Sequence, residues 1–371
     1  MTISVSEHND TKPGFLTAES IRKQEAERYI SARGRLLLAS CRSGARFGQA
    51  VAERYAELLS LVRSQDDILY QPGIDAGFLD SEVCARIEHF VNGYDVFLIQ
   101  SLFDPNSARS VNDNYAALLV AARAFREHGA RHVAAVVPYL AYSRQDKPTA
   151  FEREPVSARL MADISLAAGI DRLLVWHAHA PQIRGFYSPL PVDMLDHTRM
   201  VAGQWKPFAG RGDTVVVAPD VGASKTAATL GRELNLDTAV GVKERSGEDD
   251  VTIRRIIGDF RGKRRALIVD DILGTGGTLH ALVSRLVEDK GIRDVRVTVS
   301  HNLCMLKALD RVDDLHKRGY LHTLAVTDSI PQTRAFAAAE FVSVHSLADT
   351  FAKAINRIHY ARSVRAAFSR E

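Results

Sequence analysis

The sequence predicts an α/β protein of two similar units, each a mostly parallel sheet flanked by helices. Three observations carry this. Short apolar runs such as Val96-Phe97-Leu98-Ile99 and Val215-Val216-Val217-Ala218 alternate with segments of helical periodicity over the whole length. The alternation breaks and restarts between Pro189 and Lys206, with runs of about the same length on either side. The strand runs are continuously apolar, as in strands buried on both faces of a parallel sheet.

The elements follow in order. Residues 1–33 read as an extension, polar over the first dozen and able to form a charged helix over 18–31. Residues 35–40 are the first strand and 46–61 the first helix. Strands at 96–100, 133–137 and 173–176 enclose helices at 114–128 and 155–168. After the break come a strand at 215–218, a helix at 224–234 and a strand at 237–242. The run Ala266-Leu267-Ile268-Val269 is the next strand, and a loop at 272–278 leads from it to a helix marked by Leu279, Leu282, Val283 and Leu286. Strands at 295–299, 322–327 and 341–344 precede a closing helix at 347–365. The domains expected are 34–194 and 195–371, with the last helix a candidate to pack on the first.

Composition bounds the function. With 371 residues, 46% hydrophobic and 25% charged, the chain has ample core for two domains. A net charge of +3 is too small to argue for nucleic-acid or membrane binding, and neither is expected. Cys41, Cys84 and Cys304 are too scattered for a disulfide framework or a zinc site. No apolar run has the length of a membrane span, and the polar start lacks a signal-peptide core. A cytoplasmic protein is expected.

The chemistry gathers where strands end, which is where parallel sheets bind ligands. After Val269 come Asp270 and Asp271, then Thr275-Gly276-Gly277-Thr278 opening a helix. Backbone amides and threonine hydroxyls at a helix N-terminus cradle phosphate, and paired acids suit ribose hydroxyls or a divalent cation. Asp220 ends another strand, placed for a metal or a sugar hydroxyl unless it is simply a helix cap. Lys243 and Arg245 lie on a polar stretch that could close over a polyphosphate or be a solvated loop. Tyr139 to Lys147, with Arg144, Gln145 and Asp146, suits a nucleotide, the alternative being a polar surface loop. His177 and His179 share a face only if the chain stays extended there.

Taken together these stretches resemble the ribose-phosphate diphosphokinase (phosphoribosyl pyrophosphate synthetase) family. The resemblance runs from about Arg35 to the end, through motifs in the family's order. Besides those above, it includes Gly77-Phe78-Leu79-Asp80-Ser81-Glu82, Val111-Asn112-Asp113-Asn114, His179-Ala180-Pro181-Gln182 and Ser329-Ile330-Pro331-Gln332. It implies two tandem phosphoribosyltransferase-like domains. The implied reaction moves the diphosphoryl group of Mg-ATP to the 1-hydroxyl of ribose 5-phosphate, for nucleotide and amino-acid biosynthesis. By the resemblance, Lys243 and Arg245 are catalytic, and Phe78, Asp80, Glu82, Arg144, Gln145 and Asp146 bind ATP. Asp220, Asp270, Asp271, Thr275, Gly276, Gly277 and Thr278 bind ribose 5-phosphate. His179 and Asp220 take Mg²⁺. A homo-oligomer built from dimers is implied, a hexamer being one such assembly, with the 77–82 stretch reaching across a subunit boundary.

The chain departs from the family's pattern in places. Gly274 and His177 stand where acids are usual, and Arg184 where Gln is common. Residues 103–110 are longer than usual, and 302–309 lack the usual small residues. These departures keep open a non-catalytic or weakened regulatory paralogue. A phosphoribosyltransferase, sharing the Asp-Asp and Gly/Thr loop, fits the doubled architecture less well.

Overall fold

The structure, a computed structural model, describes residues 31–64, 66, 68–149, 151–245 and 251–367; the helix expected over 18–31 lies outside these but for Ser31. The first unit runs β1 (Leu36–Ser40), α1 (Ala45–Leu61), β2 (Leu69–Gln71), β3 (Asp75–Gly77), β4 (Val83–Ala85), β5 (Asp95–Ile99) and α2 (Val111–Glu127). It continues through β6 (His132–Val137), α3 (Ser157–Ala167), β7 (Arg172–Trp176), α4 (Ile183–Phe186) and β8 (Val192–Leu195). Six strands pair in parallel in the order β2-β1-β5-β6-β7-β8, while β3 and β4 form a separate antiparallel hairpin.

The second unit opens with α5 (Thr198–Trp205), β9 (Thr214–Ala218), α6 (Ser224–Leu234), β10 (Asp237–Arg245), β11 (Val251–Ile257) and β12 (Arg265–Leu273). Then come α7 (Gly277–Glu288), β13 (Asp294–Asn302), α8 (Leu306–Lys317), β14 (Thr323–Thr327), α9 (Arg334–Ala338), β15 (Val342–His345) and α10 (Ala348–His359). Its sheet, β11-β10-β9-β12-β13-β14-β15, is parallel except for β10–β11.

Strand periodicity divides each sheet into two buried faces. In the first, Leu37, Val96, Leu98, Val133, Ala135 and Val175 pack under α2, against Leu118, Ala121 and Phe125. The opposite face, with Leu38, Phe97, Val136 and Leu174, is covered by Phe47 and Val51 of α1 and by Phe351, Ile355 and Ile358 of α10. The last helix therefore leaves its own sheet to complete the core of the other domain. Phe47 and Phe351 meet edge to face, ring centres 5.3 Å apart. At its end His359 Nδ1 lies 2.9 Å from buried Asp95, which also takes both prongs of the Arg33 fork at 2.9 Å. In the second sheet Val217, Ile268 and Val297 pack under α7 and α8, and Val216, Leu267 and Val269 under α5 and α6.

Four expectations shift at their edges. The helix expected from Asn114 begins at Val111, because Ser110 caps it: its hydroxyl accepts from the Asp113 amide at 3.2 Å while its own amide donates to the Asp113 carboxylate at 2.8 Å. The closing helix stops at His359 rather than reaching residue 365. Strand β8 ends at Leu195, one residue into the span assigned to the second domain, because its pairing with β7 runs to Trp176–Leu195. Strand β12 runs to Leu273, so Asp270 and Asp271 sit within it rather than after it: pairing with β13 continues to Leu273–Asn302.

Candidate active site

The carboxyl ends of β7, β9 and β12 open onto one cleft of about 590 Å³ between the domains, lined among others by His177, His179, Asp196, His197, Asp220 and Asp271. The first domain supplies the histidines and the second the acids. His179 donates from Nδ1 to the Asp271 carboxylate across the boundary. That hydrogen bond, ahead of the opposing effect of partial burial, holds the His179 imidazole above its ordinary pKa.

The adjacent acids are pushed in opposite directions. Desolvation on the cleft floor raises Asp270 well above the carboxylate range, and the charges of Asp271 and Asp220 add to it. Asp271 is also pushed up by burial, but the bond from His179 and the neighbouring imidazoles outweigh this and hold it below the usual range. The two carboxyls are thus shifted apart, Asp270 toward holding a proton and Asp271 toward the ionised form, which suits a pair facing sugar hydroxyls.

Lys243 reaches the same place by an unexpected route. Lys243 to Arg245 are not on a loop: β10 continues to Arg245 and pairs antiparallel with β11, while residues 246–250 of that stretch lie outside the described residues. The β-branched and apolar residues of Val251–Ile257 supply the partner strand, and a bulge between Val242 and Lys243 shifts the register. Lys243 Nζ ion-pairs with Asp220 Oδ2, while Asp220 Oδ1 accepts from the amides of Gly222 at 2.8 Å and Ala223 at 3.3 Å. Asp220 is therefore a turn cap and a site acid at once. Arg245 ends β10.

Beyond β12 the chain turns into α7 through Thr275 and Gly276. Gly276 adopts φ +78°, and a Cβ there would stand 3.3 Å from the Ala308 Cα of α8, so the position needs glycine twice over. No side chain caps α7, which leaves the first-turn amides of Gly277, Thr278 and Leu279 for an anion. Arg311 of α8 holds the turn by donating to the Thr275 carbonyl at 2.8 Å. Gly274 has open space around it, so the missing acid is a chemical difference rather than a packing requirement.

The nucleotide-side residues sit at the rim or away from it. Arg144 and Gln145 are exposed, and Asp146 accepts from Gln182 in the segment after His179, which ties the two stretches together. Phe78, Asp80 and Glu82 are on the β3–β4 hairpin and are not among the cleft-lining residues. Asp80 accepts from the Glu82 amide at 3.1 Å and Phe78 is 60% exposed, so the hairpin tip presents an apolar ring outward. The long segment after β5 is put to use: Arg109 pairs with buried Asp75 at the base of this hairpin, and Asn106 donates to the Gln332 carbonyl at 3.4 Å.

The two histidines share the cleft without an extended backbone. His177 takes φ +33°, so the chain turns, and its ring stacks on His197 at 3.5 Å, yet both His177 and His179 line the same cleft. His197, Arg311 and Ser300 carry no signal in the sequence: they lie just after β8, on α8 and within β13, with no motif around them. Buried His197 lines the cleft with neither ring nitrogen hydrogen-bonded.

Two parallel sheets aiming their strand ends, a phosphate-cradling turn and a split carboxyl pair at a common cleft define a transferase built from tandem phosphoribosyltransferase-type domains. Comparison with known proteins narrows this. Residues 37–169 match the N-terminal domain of ribose phosphate pyrophosphokinase, and residues 198–318 match the phosphoribosyl transferase domain. The ribose-phosphate pyrophosphokinase of Chromobacterium violaceum is 36% identical over 295 residues, 79% of this chain and 86% of that one. That of Campylobacter jejuni is 33% identical over 313 residues, 84% and 96% of the two chains. The crystal structure of phosphoribosylpyrophosphate synthetase from Mycobacterium smegmatis superposes with a TM-score of 0.73 at 26% identity, covering 87% of this chain and 98% of that one. The chain belongs to the ribose-phosphate pyrophosphokinase family.

Proposed function

We propose that this enzyme transfers the diphosphoryl group of Mg-ATP to the 1-hydroxyl of ribose 5-phosphate, giving phosphoribosyl pyrophosphate and AMP. The hydroxyl oxygen forms the bond to the β-phosphorus and gives up its proton to solvent, the bond from that phosphorus to the α-phosphate oxygen breaks, and AMP leaves with that oxygen. The observation that carries the reading is the meeting at one cleft of His179 from the first domain with Asp220, Asp271 and Lys243 from the second. Such transfer depends on positioning and charge stabilisation more than on covalent help from the protein.

The residues divide the work. Thr275 to Thr278 and the first turn of α7 receive the 5-phosphate. Asp270, Asp271 and Asp220 face the ribose hydroxyls, and the upward push on the buried Asp270 carboxyl eases the repulsion among three clustered acids. Lys243 and Arg245 offset charge that builds on the transferring group and the leaving AMP. Arg144, Gln145 and Asp146 hold the nucleotide, and Phe78, Asp80 and Glu82 serve the adenine of a neighbouring subunit. That role suits a hairpin outside its own chain's cleft and supports a homo-oligomer, which we place in the cytoplasm.

The donor set fits Mg²⁺ that arrives with the nucleotide. Among the described residues no three His, Cys, Asp or Glu side chains converge as a preformed cage, whereas His179 and Asp220 each offer one donor beside the cleft. Magnesium is commonly held by one or two protein groups plus substrate phosphates and water. Bound there it would screen phosphate charge. Asp220 is held until then by Lys243, and His179 by Asp271.

A second reading, a regulatory paralogue of low activity, draws on Gly274 and His177. Both are tested by incubating the purified chain with ribose 5-phosphate and Mg-ATP. AMP and phosphoribosyl pyrophosphate in equal amounts are expected; ADP alone, or no turnover, would sink the proposal.

A further inference from the structure

The geometry points to His301 as a positioning residue that clamps the two domains together and sets where His179 stands. His301 belongs to the second domain, in β13, yet its buried ring is engaged from both sides of the boundary. Nε2 lies 3.0 Å from the carbonyl of His177, in the first domain, and Nδ1 lies 2.8 Å from the Ser329 hydroxyl. Tyr139, at the end of β6, meets the ring edge to face at 5.1 Å.

The partners fix the proton. A carbonyl can only accept, so Nε2 carries the hydrogen and donates to His177, and Nδ1 of the neutral ring accepts from Ser329. Thr327 then gives its hydroxyl proton to the Ser300 carbonyl at 2.6 Å and accepts from the Ser329 amide at 3.2 Å. Burial disfavours the imidazolium, which keeps this arrangement neutral.

What the clamp holds is a strained turn. His177 is a non-glycine residue at φ +33°, a conformation that persists only when its surroundings enforce it. Four contacts do so. Its amide donates to Leu195 O at 2.9 Å, its ring stacks on His197, its Nδ1 lies 2.7 Å from Ser300 Oγ, and its carbonyl receives His301. The first two lie at the β8–α5 junction; the last two come from the second domain. Two residues further on, His179 meets Asp271. The direction of the His177 carbonyl thus sets the path of the chain to His179, and His301 is what the second domain uses to set it. The inference rests on the reading of His179 as a contact for metal and ATP phosphates.

Two conservative variants separate the ring's two bonds. His301→Gln places an amide nitrogen near the Nε2 position and can still donate to His177; His301→Asn reaches only the Nδ1 position. His301→Asn is expected to raise KM for Mg-ATP and lower kcat, each by the order of tenfold, as for loss of one buried hydrogen bond. Its KM for ribose 5-phosphate should stay within about twofold of the parent, and His301→Gln should restore most of the loss. Equal losses in both variants, equal losses for both substrates, or an unchanged KM for Mg-ATP in His301→Asn would overturn the inference. Should His301→Asn not fold, Ser329→Ala, which removes only the hydroxyl that orients the ring, should raise KM for Mg-ATP in the same selective way, and an unselective effect counts against the clamp. His179→Ala is the control: if it leaves KM for Mg-ATP unchanged, the assignment of His179 has failed, whatever the His301 variants do.

Discussion

Replacing Lys243 by alanine separates a transition-state role from a structural or ground-state one. The Lys243–Asp220 side chains are 26% and 24% exposed, so the pair is partly screened and adds about 1 kcal/mol or less to folding. For a chain of this size that amounts to roughly a 1–3 °C change in Tm. A preorganised cation facing developing charge is worth far more: loss of one such group costs about 10²–10³ in kcat, roughly 2.7–4 kcal/mol. Mg²⁺ affinity should not fall either, because Lys243 competes with the cation for Asp220. The expected profile for Lys243→Ala is therefore a kcat down by about two to three orders of magnitude and a KM for Mg-ATP within about threefold. Lys243→Arg, retaining the charge with a different geometry, should recover part of the rate. Steady-state AMP release at varied Mg-ATP, together with thermal melts, reads all of these. A KM that rises as far as kcat falls would move Lys243 to ground-state binding. A melting temperature lower by more than about 5 °C would show the ion pair to be chiefly structural.

Three further perturbations follow. Gly276→Ala meets both a left-handed backbone and the Ala308 Cα, so a destabilisation of about 1–2 kcal/mol and a raised KM for ribose 5-phosphate are expected; a variant kinetically equal to the parent would show that the turn does not touch the phosphate. Phe351→Ala empties a fully buried site against Phe47 and should cost about 3–5 kcal/mol, read by denaturant unfolding, with a change below about 1 kcal/mol contradicting the packing described. His301 is depressed by burial to about 4 from an ordinary 6.5, so the unfolded chain binds the extra proton between those values. Stability is then fully present above about pH 6.5 and is lost as pH falls toward 4, by roughly 3 kcal/mol at most from this residue. His301→Gln should flatten that slope, and an unaltered pH dependence would show that the group is not held neutral.

The legible parts of the molecule were those whose cause is local. Apolar runs such as Ala266 to Val269 marked buried strands, and the acids and glycines after them marked a site, because a parallel sheet presents ligands at those ends. Strand β11 is hard to see because the stretch before it, Lys243 to Asp250, is so polar that it reads as one loop. The cross-domain partners were invisible for a different reason. His301 and the His177 carbonyl are 124 positions apart, and neither a period nor a motif relates them. Asp270 and Asp271 are visible as a pair, but the downward pull on Asp271 depends on His179, 92 positions before it.

The course of α10 has a mechanical consequence. Because that helix returns to cover the first sheet, the second domain is in effect an insertion, joined to the first by one crossing after Leu195 and another between His345 and Ala348. A body held at two points can rotate only about the line through them. Opening the cleft like a book would need α10 to peel from Phe47 and Val51 or that axis to serve as the spine. By the same logic a chain cut before Ala348 would leave one face of the first sheet half bare, so the first domain is not a self-sufficient unit without that helix.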